Sequence, residues 1–403
     1  MALFFAGLAY LAGNLYLSVW LLRWLTAWGW PLTAPAAGAA ALVVFWLWAV
    51  SPVWAFLARK GPLRRGLHRA CGIWLAFMLY GFLLVGAFTL CREAVVRCAW
   101  YTALPDSLRA RVLAAAGSLA LAAALLLCLW GRWRAEKLRI RRRAIQIEKP
   151  CETPRLRVAL VADLHLGSNL GLAGLRRLCA AIRAEKPDLV CIAGDLFDNC
   201  FDDIEEPAEA ARLLAQLRPR WGVWACWGNH DLPEELLAGF SVGRPRQDGR
   251  FEAFLGKARI RMLCEETARL GCGVQLAGRA DRGMTRRAGL RRAAPEELLA
   301  GLDADAPIFV LDHQPREDRA LADAGADLVL CGHTHDGQLW PANWLMRLLW
   351  HNPGGIRRRG RGWLVTTSGA GVWGPPMRVG TRSEVLVLDV TFGPCPEAEK
   401  PLQ

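Results

Sequence analysis

Four stretches of this chain contain no charged residue: 1–22, 24–58, 70–91 and 112–131. Each is long enough to cross a hydrocarbon core about 30 Å thick as a helix. A backbone inside lipid must satisfy its own polar groups, so four transmembrane helices are expected, near 2–22, 36–58, 71–91 and 112–131. The segment WPLTAP (30–35) would turn between the first two. Trp20, Trp24, Trp54, Trp100 and Trp130 fall near the expected ends, where indoles favour the membrane interface. Composition agrees: 53% of the residues are hydrophobic and the mean hydropathy is positive, too apolar for an ordinary soluble enzyme. The first charge is Arg23, so the chain does not open with the basic region of a signal peptide.

Basic residues give the orientation. The loop RKGPLRRGLHR (59–69) and the segment RWRAEKLRIRRR (132–143) are both dense in Lys and Arg. Both are cytoplasmic if four helices start and finish inside. Arg23, and Arg92, Arg97, Arg109 and Arg111 between the third and fourth helices, run against this bias. The expected location is therefore the inner (cytoplasmic) membrane, multi-pass, with the soluble half in the cytoplasm. The net charge of +13 is partly topological, set by side chains facing anionic headgroups. The arginine-rich segments 279–292 and 357–362 lack interleaved aromatics and read as solvated or headgroup-facing surface, so no specific nucleic-acid partner is expected. Thirteen cysteines are an odd number, and Cys191, Cys226 and Cys331 lie in apolar runs, which suits buried thiols in a reducing compartment.

Beyond the basic linker the pattern changes to strand, loop and helix. LRVALVAD (156–163), DLVCIAGD (188–195) and GVWACWGNHD (222–231) read as strands running into loops, and 172–186 and 206–217 as amphipathic helices. Such alternation implies an α/β domain whose ligands collect beyond the carboxyl ends of its strands. The expected divisions are a four-helix anchor (1–131), a juxtamembrane linker (132–154), an α/β domain (155–392) with a cap-like insert at about 232–306, and a tail (393–403).

The strand ends read ADLHLG (162–167), GDLFDN (194–199), GNHD (228–231), FVLDHQP (309–315) and LVLCGHTHDGQ (328–338). Five of the seven histidines fall here, with Asp163, Asp195 and Asn229. Imidazole, carboxylate and amide oxygen without thiolate suit Mn, Fe, Zn or a similar divalent ion. A carboxylate at the end of a buried strand, such as Asp195, is costly unless a cation faces it.

These five motifs, in this order, resemble the calcineurin-like metallophosphoesterases over roughly 155–392. GHTHDGQLWP and TTSGAGVWGPPMRVGTRSEV (366–385) are similar to a membrane-associated bacterial branch. The resemblance implies a four-layer α/β domain, two mixed sheets flanked by helices, and two divalent metal ions. It implies Asp163, His165, Asp195 and His335 at one metal, and Asn229, His313 and His333 joining Asp195 at the other. It implies hydrolysis of a phosphoester or pyrophosphate by a metal-bridging hydroxide, with His230 as general acid and Asp198 orienting it. Arg279, Arg378 and Trp344 are candidate substrate contacts. The implied substrate is a phosphorylated, lipid-linked molecule such as UDP-2,3-diacylglucosamine. The alternatives are a broad phosphodiesterase or phosphatase on a soluble or prenyl phosphate, or a non-catalytic metal-binding scaffold. Two features depart from the family pattern: Ala162 stands where serine is frequent, and Asp336 where glycine is usual. The greasy stretch 339–351 is too short to span a bilayer and is expected either at the interface or in the core.

Overall fold

The structure, a computed structural model, describes residues 2–29, 35–58, 60–237, 240–242, 245–246 and 248–393. Most of the expected 30–35 turn, and the tail beyond residue 393, lie outside the described residues. Among the described residues, three helices are long and apolar enough to cross a membrane: Leu3–Ala27, Pro62–Val95 and Asp106–Glu136. The expected second span is a pair of helices, Ala36–Ala49 and Ser51–Leu57, bent by 48°, which makes a fourth span if the two are taken as one. The cause is Pro52, which has no N–H to continue the ladder, so Val53 and Trp54 both turn back to the Val50 carbonyl.

The two later helices are longer than the charge-free windows. Thirty-four and thirty-one residues make about 51 and 46 Å of helix, well beyond a hydrocarbon core. The contact with the soluble half reaches into the charge-free windows themselves. Met377 and Val379 pack into a cluster with Ala76, Tyr80, Ala124 and Cys128 of the two helices. Gly72 permits this approach, since a Cβ there would lie 2.7 Å from Pro376 Cδ. The expected basic loop, which is largely the first turns of the Pro62–Val95 helix, docks on the same side: Lys60 pairs with Asp202 at 2.5 Å, Arg64 with Asp203 at 3.5 Å, and Arg69 donates to the Ser168 carbonyl.

The soluble half has two six-stranded sheets. One runs, in spatial order, Arg139–Ile147, Glu384–Phe392, Arg155–Val161, Leu189–Ala193, Val223–Cys226 and Ile260–Leu263. The other runs Gly355–Arg359, Gly362–Thr366, Leu328–Cys331, Ile308–Leu311, Gln275–Gly278 and Glu266–Arg269. Both are mixed, with parallel pairs at their centres. Period-two alternation explains the layering: Val158, Leu160 and Cys191 face the second sheet, while Ala159, Val161 and Ile192 face the helices Leu172–Ala184, Pro207–Ala215 and Arg250–Ala258. A further apolar cluster covers the second sheet's outer face. The result is the four-layer α/β domain expected.

Two expected boundaries are corrected. Residues 132–154 are not a free linker: the helix continues to Glu136, and Arg139–Ile147 is an edge strand in parallel register with Glu384–Phe392. Ile145 and Ile147 are buried while arginines line the edge, Arg142 forming a bidentate pair with Glu185. The arginines concealed the alternation, and they also discourage further strand pairing. Nor is 232–306 a separate cap. Ile260–Leu263 joins the first sheet, Glu266–Arg269 and Gln275–Gly278 join the second, and Phe251, Phe254 and Leu255 fill the core.

Candidate metal centre

Each predicted ligand leaves the carboxyl end of a strand: Arg155–Val161, Leu189–Ala193 and Val223–Cys226 in the first sheet, and Ile308–Leu311 and Leu328–Cys331 in the second. The backbone there is strained. Asp163, His165, Asp195, His333 and His335 all adopt positive φ, between 48° and 72°. Non-glycine residues rarely adopt such angles, and they persist only where the surroundings enforce them. Here hydrogen bonds do so: Asp163 N–H donates to the Gly194 carbonyl (3.1 Å), His165 N–H to the Asp195 carbonyl (3.1 Å), and His333 N–H to the Asp163 carboxylate (2.9 Å). Gly194, at φ 80°, leaves room for His313, whose Nδ1 would lie 2.5 Å from a Cβ.

The structure gathers the predicted ligands into two groups, Asp163 with His165 and His335, and Asp195 with His313 and His333. Their fit to metal can be tested on the contacts. His313 Nδ1–H donates to the Ala193 carbonyl (2.8 Å), which leaves Nε2 facing inward. Around that nitrogen stand Asp195 Oδ2 at 3.1 Å, Asn229 Oδ1 at 3.2 Å and His333 Nδ1 at 3.3 Å. In the other group His165 Nε2 and His335 Nε2 are 3.1 Å apart. Ligand atoms each about 2.0–2.1 Å from a shared ion lie roughly 3.0–3.4 Å from one another, so these spacings suit a divalent ion in each group. Asp195 is placed between the groups: Oδ1 accepts from the His230 N–H (2.8 Å), and Oδ2 lies 3.1 Å from His313 and 3.8 Å from His165.

Charges follow this crowding. Burial would raise the Asp195 pKa, but His313, His230 and His165 hold it well below the usual carboxylate range. Burial opposes charge on His313, yet Asp195 and Asp163 raise it well above an ordinary histidine. Burial pushes His333 down to about 3 and His230 to about 4, so both are neutral at pH 7.

The orienting partner of His230 is a correction. Asp198 Oδ1 lies 3.6 Å from His165 Nδ1. The side chain against His230 Nδ1 is Asn199, whose Oδ1 is 2.5 Å away. Asn199 Nδ2 donates to the Leu232 carbonyl (2.9 Å), which fixes its amide so that Oδ1 accepts the His230 Nδ1–H. His230 Nε2 therefore carries the lone pair. Asn199 ends the motif GDLFDN, so its place in the sequence was visible but its role was not.

The three candidate substrate contacts are placed elsewhere. Arg279 is buried, paired with Asp312 at 3.1 Å and with Glu317, and it donates to the Ala293 carbonyl (3.0 Å). It braces the second sheet's loops. Arg378 is also buried, donating to the Ser368 and Gly371 carbonyls (2.6 and 2.7 Å) and lying 3.2 Å from His335 Nδ1. It is a positioning residue for His335. Trp344 is 60% exposed, on the helix Ala342–Leu349, and does not line the cavity. Asp336 is likewise absent from the lining.

The centre opens into a cavity of about 620 Å³. Asp195, Asn229, His230, His333 and His335 form its floor, and Arg287 stands at one side, donating to the Asn229 carbonyl (2.6 Å). The apolar part of the lining is Leu339, Ala342, Met346, Trp350 and Leu79, the last from the transmembrane helix Pro62–Val95. Sequence reasoning could not place Leu79 here, because no local pattern marks a contact between lipid-spanning and catalytic parts.

Comparisons with known proteins agree with this geometry. The family model described as calcineurin-like phosphoesterase matches residues 156–337. An uncharacterized metallophosphoesterase of Aquifex aeolicus is 29% identical over 256 residues, 63% of this chain and 92% of that protein. A transmembrane protein with metallophosphoesterase domain from Danio rerio is 34% identical over 254 residues, 60% of this chain and 54% of that protein. The phosphodiesterase YaeI of Escherichia coli is 29% identical over 190 residues, 45% of this chain and 62% of that protein. The chain thus spans little more than half of the Danio rerio relative. With the motifs, the two ligand groups and the apolar helices, these matches identify a membrane protein that carries a calcineurin-like, metal-dependent phosphoesterase domain.

Proposed function

We propose that this protein hydrolyses a phosphoester or pyrophosphate bond in a lipid-linked substrate, at the cytoplasmic face of the cell membrane. One observation carries the substrate class: Leu79, from a helix that crosses the bilayer, lines the same cavity as His230, His333 and His335. A phosphate reaching that centre with its apolar part still against the transmembrane helix need not leave the lipid. The cytoplasmic side rests on the basic stretch whose Lys60 and Arg64 pair with Asp202 and Asp203 of the catalytic domain and so share its side of the membrane.

Asp163, His165 and His335 would hold one metal, and Asn229, His313 and His333 the other, with Asp195 shared. Mn, Fe or Zn suits this donor set. Two such ions supply Lewis acidity toward phosphoryl oxygens and lower the pKa of water near neutral pH. The chain's residues do the rest. Asn199 aims His230, whose Nε2 can take up a proton during turnover and pass it to the leaving oxygen. Arg378 and the strained backbone hold the ligands in place before substrate arrives.

The test is turnover by the purified full-length protein with Mn, Fe or Zn on a chromogenic phosphodiester, a prenyl phosphate and UDP-2,3-diacylglucosamine in mixed micelles. The proposal expects a higher kcat/KM for a lipid-linked member. A preference for the soluble ester would return the protein to a broad phosphodiesterase. Bound metal with no turnover of any substrate would leave a scaffold.

A further inference from the structure

The helix Ala342–Leu349 has two unlike faces. Ala342, Met346 and Trp350 follow one another at four-residue spacing and line the metal cavity. With successive residues turned by about 100°, Trp344, Leu348, Leu345 and Leu349 fill an arc of roughly 140° that faces largely away from the cavity and adjoins Ala342 at Leu349. That arc is bare: Leu348 is 83% exposed, and the other three are exposed by half or more. Four large apolar side chains in one exposed stripe are costly in water and mark a surface that something apolar covers.

We propose that this stripe lies in the boundary between headgroups and acyl chains of the membrane leaflet, making the helix a threshold between bilayer and metal centre. Continuity with the membrane-spanning part selects lipid as the occupant. Leu339, which leads into the helix, packs beside Met377 and Val379 against the Pro62–Val95 and Asp106–Glu136 helices. The cavity face of the helix shares its wall with Leu79 of the first of these. The helix therefore sits where the two long spans emerge, turned so that one face meets the cavity and the other points away from it. Exposed Arg347 is at the edge of the stripe, about 60° from Trp344, where a long cationic side chain can reach headgroup phosphate. An acylated phosphate would pass sideways over this helix, its chains on the stripe and its phosphate moving toward His333 and His335. The route rests on the lipid-linked substrate proposed above; insertion of the stripe does not.

Insertion is tested on the full-length protein in phosphatidylcholine–phosphatidylglycerol vesicles, with a photoreactive benzophenone side chain at position 348 and, as control, at exposed position 257. Crosslinks to acyl chains from 348 and not from 257 are expected. Position 348 behaving like 257 would overturn the proposal. The route is tested with Leu345→Ser combined with Leu348→Ser. The expected result is an unchanged kcat/KM on a small soluble phosphodiester and a loss of about tenfold or more on a lipid phosphate in the same vesicles. Parallel loss of both activities would show that the stripe is core, and retention of both would remove the route. Acyl-chain crosslinks at 348 in a protein that turns over no lipid phosphate would sink the substrate class and leave the insertion standing.

Discussion

On the floor of the cavity, every candidate ligand is buried or nearly so, most are held at strained backbone angles, and each group is fixed by main-chain hydrogen bonds from a neighbouring strand end. On the membrane side, the wall is made of Leu79 from a membrane helix and Leu339, Met346 and Trp350 from one short segment, all with apolar side chains. The floor is precise because chemistry at phosphorus depends on atoms placed within tenths of an ångström. The wall is forgiving because an alkyl chain needs only apolar surface of about the right shape. Substitutions on the floor should therefore stop the reaction for every substrate, whereas those on the wall should change which substrate is used.

The largest effect is expected at Asp195, whose two oxygens serve the His230 backbone and both ligand groups. Asp195→Asn should abolish hydrolysis of soluble and lipid substrates alike and lower bound metal by elemental analysis. Full metal content with full activity would dismantle the shared-ligand assignment.

Next come the neighbours Asp198 and Asn199, which the geometry separates. Asn199→Ala should resemble His230→Ala: kcat falls, by roughly 10²- to 10⁴-fold for His230→Ala, with metals retained and a smaller loss for esters whose leaving group needs no proton. Asp198→Asn should instead act through His165, weakening metal affinity by about 10- to 100-fold as for other groups that orient a ligand. If Asp198→Asn reproduces the leaving-group dependence and Asn199→Ala does not, the roles assigned from the 2.5 and 3.6 Å contacts are reversed.

The smallest effect is a proton. Metal-free His313 has its pKa raised by Asp195 despite burial, so it is protonated at pH 7. A metal must displace that proton, so affinity should rise with pH through neutrality, toward the raised pKa, and fall as pH is lowered. Calorimetric titration in buffers of different ionisation enthalpy should show about one proton released per chain from this residue. Metal binding with no proton release would remove His313 from the ligand set.

The same division marks what could be read from the residues alone. Charge-free windows exposed the membrane helices because a charge in lipid is too costly to hide. The candidate metal ligands were legible as a set because each strand end carries its own histidine, carboxylate or amide within a few residues of an apolar run. The bend at Pro52 was local too, yet the unbroken hydrophobicity of 36–58 masked it. Arg279 and Arg378 looked like phosphate contacts, because arginine reads as a free cation until its partners are known. Asp312 and Glu317 claim the first, and the carbonyls of Ser368 and Gly371 the second. The strand Arg139–Ile147 was hidden for a related reason, since its register depends on Glu384–Phe392, more than two hundred residues away.

The sequence by itself determined that the chain enters a membrane and carries a dimetal-type ligand set, since hydropathy and ligand chemistry are properties of short segments. Only the tertiary structure decided that Asn199 and not Asp198 meets His230 Nδ1, that Leu79 walls the cavity, and that the 342–349 helix turns one face to that cavity and leaves the other bare. Those are facts of distance between residues far apart in the chain or of side-chain direction within a turn, and packing alone sets them.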